Sequence, residues 1–230
     1  FPIRTFPSSV IAFGGRIIEN VDEAKYINSS DSPIYKKGDH LYGLVEAASS
    51  IRREGSALLT EGYMDVLTLH QFGYTNAVGV LGTALTEKQI DRLTRGFTSK
   101  LILLFDGNAE GRKAAIRACE MILPKGLLCF VVLLPDPEDI DSLLRMENGR
   151  ACFDRLLAEA PDGMDFYARE LRRLAPREMI QRAQQFLQAT IGPELRSYCT
   201  IRLSNLLGLS EVALRQGVAE LRERSSRQPA

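Results

Sequence analysis

Two stretches of the sequence decide the fold, SALLTEGYMDV at residues 56–66 and LILLFDGNAEGRKAA at residues 101–115. Each begins with a short apolar run that leads into an acidic residue and a glycine, Glu61-Gly62 in the first and Asp106-Gly107 in the second. Short apolar runs of this kind are typical of strands buried on both faces of a parallel sheet. The residues that follow each glycine have helix-like spacing. Each stretch therefore predicts a strand followed by a helix.

The same alternation continues between these two stretches and after the second one. Apolar runs at Ala77 to Val80 and Leu128 to Leu134 predict two further strands, and helices are predicted over 64–72, 86–93 and 109–123. Such alternation is typical of an open α/β sheet with right-handed crossovers. Before it, VIAFGG and RIIENV predict two short strands around a turn at Gly14-Gly15. From about Pro161 onward, the apolar spacing predicts helices.

Composition narrows the class of protein. The 230 residues include 29 basic and 29 acidic side chains, and this zero net charge argues mildly against a nucleic-acid enzyme, although the two signs can occupy different faces. No apolar run is long enough for a membrane span. The four cysteines form no C-x-x-C pair, so we expect no zinc site and a reducing, cytoplasmic location. The first residue is Phe1, and we expect the chain to be part of a longer protein.

Acidic residues follow three of the predicted strands. Glu61 and Asp106 each follow one strand, and a third strand precedes the acidic segment PDPEDID at residues 135–141. Ligands of open α/β sheets bind beyond the carboxyl ends of the strands. Clustered carboxylates repel one another, and oxygen ligands favour Mg²⁺ or Mn²⁺. Any one of these residues is equally well explained as a turn or a helix cap, and Asp139 and Asp141 fit an acidic cap of the following helix.

Several motifs then resemble one family. Residues 61–66 (EGYMDV) and 106–111 (DGNAEG) resemble the EGYxDV and DGDxAG motifs of the TOPRIM domain in bacterial DnaG-type DNA primases, while GTALT at 82–86 and LLPDPEDIDSLL at 133–144 are similar to two further segments. TOPRIM domains also occur in topoisomerases, nucleases and recombination mediators. Residues 13–16 (FGGR), 25–30 (KYINSS) and 36–44 are similar specifically to the primase N-terminal lobe.

The resemblance implies a fold and a division of the chain. It implies a Rossmann-like TOPRIM domain with a mostly parallel sheet at 46–150, part of a small, basic α+β lobe at 1–45, and a helical lobe at 151–230. It implies metal-dependent nucleotidyl transfer that makes short RNA primers from NTPs on a single-stranded DNA template. The zinc-binding domain and the domain that binds the replicative helicase would lie outside this sequence.

The resemblance also assigns roles to residues. It implies catalytic roles for Glu61, Asp65 and Asp106, and two Mg²⁺ or Mn²⁺ ions held by a ligand set consisting of Glu61, Asp106, Asn108, Asp139 and Asp141. Nucleotide and template contacts are implied for the N-terminal lobe residues Arg16, Lys25, Asn28 and Lys37. Arg112 and Lys113 open a helix directly after the DGNAEG motif, where they are placed to meet nucleotide phosphates or equally to form a solvated helix face.

Two positions depart from the family pattern. Asn108 stands where the family has a second aspartate, and its amide oxygen can bind a cation but brings no charge. Glu110 stands where the family has a small residue, and its carboxylate would restore local charge. Two alternatives to primer synthesis remain open. The chain is a primase-like module that binds single-stranded DNA with weakened catalysis, or it is another TOPRIM enzyme, a nuclease or a topoisomerase.

Overall fold

The computed structural model describes residues 1–17, 26–82 and 84–227, with side chains up to residue 221. The chain forms two compact units. The first consists of Phe1–Ala114 and Val132–Ala160, and the second of Ala115–Val131 and the residues from Pro161 onward. None of the described helices is both long and apolar enough to cross a membrane. The division into three parts at residues 45 and 150 stays a prediction.

The first unit begins with a small antiparallel sheet. Its strands are β1 (Pro2–Thr5), β2 (Ser9–Arg16) and β3 (Tyr26–Asn28), in the order β1-β2-β3. The predicted turn at Gly14-Gly15 is wrong, because both glycines lie inside β2 and pair with Asn28 and Ile27. A Cβ atom on Gly14 would lie 2.6 Å from the Tyr63 ring, so this glycine allows close packing and not a turn. Most of RIIENV lies outside the described residues.

Helices and strands then alternate as predicted. The elements are α1 (Leu44–Glu54), β4 (Ala57–Thr60), α2 (Tyr63–Gln71), β5 (Ala77–Gly79), α3 (Glu87–Thr94), β6 (Lys100–Phe105), α4 (Ala109–Ile122), β7 (Leu128–Leu133), α5 (Ile140–Arg145) and α6 (Gly149–Ala158). Every residue of β4 and β5 is buried, which explains their uninterrupted apolar runs. The predicted α/β fold class is confirmed.

Strands β4 to β7 form one parallel sheet in the order β5-β4-β6-β7. Leu59 of β4 lies opposite Val78 of β5 on one side and Leu103 of β6 on the other. Because the strands are parallel, their carboxyl ends meet at one edge. A core that includes Leu58, Leu104 and Phe153 supports the sheet in this unit.

The second unit is mainly helical, as predicted for the residues after Pro161. Its last four helices are α7 (Gly163–Leu171), α8 (Pro176–Ala189), α9 (Pro193–Leu207) and α10 (Glu211–Arg227). Within this unit, Glu120 accepts hydrogen bonds from Tyr167 Oη at 3.0 Å and Arg182 Nη2 at 2.8 Å. The four cysteines are free thiols, and three of them are buried.

Candidate active site

Three adjacent strands of the parallel sheet end in acidic residues. Glu61 directly follows β4, Asp106 directly follows β6, and Asp136 comes three residues after the end of β7. These strands are neighbours in the sheet, so the fold brings the three acidic residues to one edge. We call the group formed by Glu61, Asp65, Asp106, Asp136 and Asp139 the acidic edge.

The carboxyl groups of Glu61 and Asp106 are both shifted toward their protonated forms. The pKa of Glu61 is raised first by loss of hydration and then by the charges of Asp106 and Asp65. The pKa of Asp106 is raised by burial, and then by the charges of Asp139 and Asp136. Glu61 nevertheless keeps an exposed surface, whereas Asp106 is half-buried. Repulsion of this kind is relieved when a cation binds between carboxylates.

Asp65 lies in the first turn of α2 and is the most strongly shifted member of the acidic edge. Burial raises its pKa to about 6 together with the charges of Asp106 and Asp139, and a hydrogen bond from Thr60 opposes this shift in part. Thr60 Oγ1 donates to Asp65 Oδ2 at 2.9 Å. Strongly perturbed carboxyl groups at a strand edge are common at functional sites.

The loop between β6 and α4 is tightly built around two glycines. A Cβ atom on Gly107 would lie 2.2 Å from the Leu134 carbonyl oxygen, and one on Gly111 would lie 2.2 Å from the Asp106 carbonyl oxygen. Asn108 is exposed, and its Oδ1 accepts a hydrogen bond from the Gly111 N–H at 2.9 Å. Asn108 thus helps to cap α4, and its amide oxygen keeps a second lone pair that could accept a further bond.

Asp139 and Asp141 have different environments although they are two residues apart. Asp139 caps α5 by accepting from Ser142 N–H at 2.8 Å, and its charge raises the pKa values of Asp65 and Asp106. Asp141 accepts from Arg145 Nε at 2.9 Å and from Thr68 Oγ1 at 2.7 Å. These bonds, led by that from Arg145, lower the pKa of Asp141. Of these two residues, only Asp139 therefore belongs to the acidic edge.

The predicted metal ligands do not form a closed cage. Among the residues that the structure describes, no group of three or more His, Cys, Asp and Glu side chains is arranged to hold a metal ion. The chemistry of the acidic edge nevertheless fits a hard divalent cation, because its donors are oxygens and its carboxyl pKa values are raised by burial and by one another.

Two candidate residues of the N-terminal lobe, Arg16 and Asn28, interact with residues that follow this lobe in the chain. The Arg16 guanidinium lies 5.6 Å from the centre of the Tyr26 ring, and its charge helps to lower the pKa of Asp141. Asn28 accepts a hydrogen bond from the Tyr63 hydroxyl and donates to the Leu81 carbonyl at 3.3 Å.

The remaining candidate cations have mixed positions. Lys25 lies outside the described residues. Lys37 opens a short 3₁₀ helix, Lys37–Asp39, and is half-buried. Arg112 and Lys113 lie in the first turns of α4, where Lys113 forms an exposed ion pair with Glu110 at 2.8 Å. Such a pair is weak and would open easily for a phosphate.

Sequence reasoning missed the neutral partners of the site. Thr60 and Thr68 orient Asp65 and Asp141, and the Tyr63 hydroxyl holds Asn28. Thr60 and Tyr63 carry one local signal, because they flank Glu61-Gly62, and Thr68 carries none. Their contacts depend on tertiary packing, which residue spacing does not report.

Comparisons with known proteins agree with this architecture. Residues 1–48 match a family model described as the DNA primase catalytic core, N-terminal domain, and residues 58–144 match one described as Toprim-like. The DNA primase of Pseudomonas aeruginosa is 39% identical over 220 residues, which are 91% of this chain and 33% of that protein. The chain thus spans about one third of the length of such curated relatives.

Solved structures give the same result. A DNA primase domain from Pseudomonas aeruginosa is 37% identical, with a TM-score of 0.86, and the match covers 95% of this chain and 71% of that one. A DnaG primase catalytic domain bound to single-stranded DNA is 36% identical, with a TM-score of 0.78 and coverage of 92% and 69%. The chain therefore belongs to the family of bacterial DnaG-type DNA primases, in which it corresponds to the catalytic core.

Proposed function

We propose that the chain synthesises short RNA primers from NTPs on a single-stranded DNA template by metal-dependent nucleotidyl transfer. One observation carries the proposal. In a chain of the primase family, carboxylates from adjacent strand ends lie close enough at the acidic edge to raise one another's pKa values. The ionised state of clustered carboxylates is unfavourable without a counter-charge, and it becomes favourable when a divalent cation binds.

We assign the metal ligands on the same grounds. Glu61, Asp106, Asn108 and Asp139 would hold two Mg²⁺ or Mn²⁺ ions, and Asp65 would support them from its half-buried position. Bound cations would neutralise charge that develops on the transferred phosphate. Asp141 is placed outside this set, because its carboxylate is already held by Arg145 and Thr68.

The basic residues are assigned to the substrates. A similar primase domain binds single-stranded DNA, which supports a template role for the N-terminal lobe. Arg16, Asn28 and Lys37, together with Lys25, would contact the template or the incoming nucleotide. Arg112 and Lys113 would meet nucleotide phosphates from the start of α4. Binding of the replicative helicase would require a segment outside this sequence.

A second candidate function is single-stranded DNA binding without synthesis. Asn108 favours it, because the amide brings no charge to the site and its oxygen already accepts the Gly111 N–H. A topoisomerase-like role for Tyr63 is not favoured, since its side chain is buried and its hydroxyl donates to Asn28.

Primer synthesis with labelled NTPs on single-stranded DNA, in Mg²⁺ and separately in Mn²⁺, tests the proposal. We expect products with at least one ion, and we expect Glu61→Gln to abolish them without unfolding the chain. Glu159→Gln, an exposed change at the end of α6, is the matched control and should retain synthesis. Intact DNA binding with no product in either ion would favour the binding module, and metal-dependent DNA cleavage would refute the primase assignment.

A further inference from the structure

The turn that carries Lys37 is held from one side by the start of α3. Three residues of the turn accept hydrogen bonds through their backbone carbonyls: Lys37, Gly38 and His40. Gln89 Nε2 donates to the His40 carbonyl at 2.8 Å and to that of Lys37 at 3.5 Å. Thr86 Oγ1 donates to the Gly38 carbonyl at 2.5 Å. The side chains of Gln89 in α3 and of Thr86, the residue that caps α3, thus fix the backbone of the turn that carries Lys37.

Gln89 makes more bonds than a helix cap needs. Thr86 and Gln89 form a reciprocal capping box, in which Gln89 Oε1 accepts from the Thr86 N–H at 3.0 Å and Thr86 Oγ1 accepts from the Gln89 N–H at 3.2 Å. That box uses only the amide oxygen of Gln89. Its amide nitrogen is directed outside the helix, to the turn, and the whole side chain is fully buried.

The held turn directs Lys37 toward the loop that follows β5. A methyl group placed on Gly82 would lie 3.9 Å from Lys37 Nζ and 3.8 Å from Asn28 Nδ2. Lys37 and Asn28 therefore converge on one exposed stretch of backbone. The position of the ammonium group depends on the position of its turn, a short 3₁₀ helix. Besides Gln89 and Thr86, the turn is held by the Lys37 N–H, which donates to Asp31 Oδ1 at 3.1 Å, and by the ion pair of Lys88 with Asp39 at 3.1 Å.

We propose that Gln89 is a positioning residue for nucleotide binding, which acts by holding the Lys37 turn against α3. The proposal rests on the proposed function, in which Lys37 contacts the template or the incoming nucleotide, and it commits Lys37 to the nucleotide. A side-chain amide that spans two carbonyls fixes the turn more firmly than a single bond, and loss of the donor would leave two partly buried carbonyls unsatisfied. The turn would then shift, and the nucleotide would bind more weakly.

Single-nucleotide extension of an RNA primer annealed to a DNA template separates KM from kcat. We expect Gln89→Met to raise the KM for the NTP at least fivefold and to change kcat by less than twofold. Lys37→Met should raise KM by at least as much, and adding Gln89→Met to it should change KM by less than twofold. Asn76→Leu is the matched control, because Asn76 is also a buried amide, which donates to the Ser56 carbonyl at 3.0 Å. It should leave KM unchanged.

Each outcome has a distinct meaning. If Lys37→Met leaves KM and kcat unchanged, the proposed role of Lys37 fails and the present proposal fails with it. If Lys37→Met raises KM and Gln89→Met does not, only the positioning role is overturned. Equal fold-effects of Gln89→Met with and without Lys37 would also overturn it. If Gln89→Met does not fold, Thr86→Val tests the same attachment of the turn to α3, because it removes the hydroxyl that donates to the Gly38 carbonyl. Thr86→Val should raise KM, whereas Thr86→Ser, which keeps the hydroxyl, should not.

Discussion

Removing the charge of Asp65 should stabilise the fold. The pKa of Asp65 is raised from 3.8 to about 6, with burial as the first cause. A carboxyl group whose pKa is raised in the folded state favours folding while it is protonated, and this contribution is lost as the pH rises from about 4 through about 6. At pH 8 the ionised group therefore destabilises the fold by about 3 kcal/mol, and at pH 4 by about 0.5 kcal/mol.

The variant Asp65→Asn should recover part of this energy. Thr60 and the backbone of Gly62 donate hydrogen bonds to the carboxylate, and an amide offers one acceptor oxygen in place of two. We therefore expect a gain of about 1–3 kcal/mol at pH 8 that shrinks to about 0.5 kcal/mol or less at pH 4. Primer synthesis should be lost in the same variant, as expected when a strained charge serves function.

Urea unfolding in the presence of a chelator measures this effect. Circular dichroism and tyrosine fluorescence should be followed together, since the chain has no tryptophan and coincident transitions support a two-state comparison. Adding Mg²⁺ should reduce the advantage of the variant, because the cation relieves the same repulsion in the parent. A variant that is less stable than the parent at pH 8, or a difference independent of pH, would refute the reasoning.

Asp141→Asn is the matched control and should behave in the opposite way. The bonds from Arg145 and Thr68 lower the pKa of Asp141, so its contribution is present above its ordinary pKa and lost as the pH falls. The carboxylate is partly exposed, which reduces the contribution. We expect a loss of about 0.5–1 kcal/mol at pH 8 that fades toward pH 3. A gain in stability at pH 8 would count against the assigned contacts.

Three further predictions concern the acidic edge and the loop between β6 and α4. Asn108→Asp should tighten Mn²⁺ binding severalfold in calorimetric titration, and unchanged affinity would exclude Asn108 as a ligand. Mn²⁺ affinity should fall between pH 7.5 and pH 5.5, because the raised pKa values of the carboxyl groups let protons compete with the metal, and equal affinities would contradict this. Gly107→Ala should cost more than about 2 kcal/mol in urea unfolding, since its Cβ would lie 2.2 Å from the Leu134 carbonyl oxygen, whereas Gly15→Ala, with 3.9 Å of space, should cost less than about 1 kcal/mol.

The strands of the parallel sheet could be predicted because their signal is local. A run that is buried on both faces must be apolar throughout, and β4 and β5 are buried at every position. The turn at Gly14-Gly15 could not be predicted correctly, since a glycine pair is equally suited to a turn and to close packing. The Tyr63 ring that requires Gly14 lies about fifty positions away, and no local pattern reports it.

The site shows the same distinction. The placement of Glu61 and Asp106 at one edge follows from strand order and direction, which the alternation of elements already indicates. The different environments of Asp139 and Asp141 do not follow from sequence, because both belong to one acidic run. Only the tertiary partner Thr68, 73 positions from Asp141, together with Arg145, separates them. The roles assigned to these residues stay predictions.

A crystal of the chain soaked in Mn²⁺, with anomalous diffraction measured at the manganese edge, tests the central claim most directly. We expect anomalous peaks within ligand distance of the Glu61 and Asp106 carboxylates, with Asn108 or Asp139 completing the contact. In Glu61→Gln crystals these peaks should weaken or vanish. If saturating Mn²⁺ gives no peak at the acidic edge, or a peak only elsewhere in the molecule, the acidic edge is not the metal site.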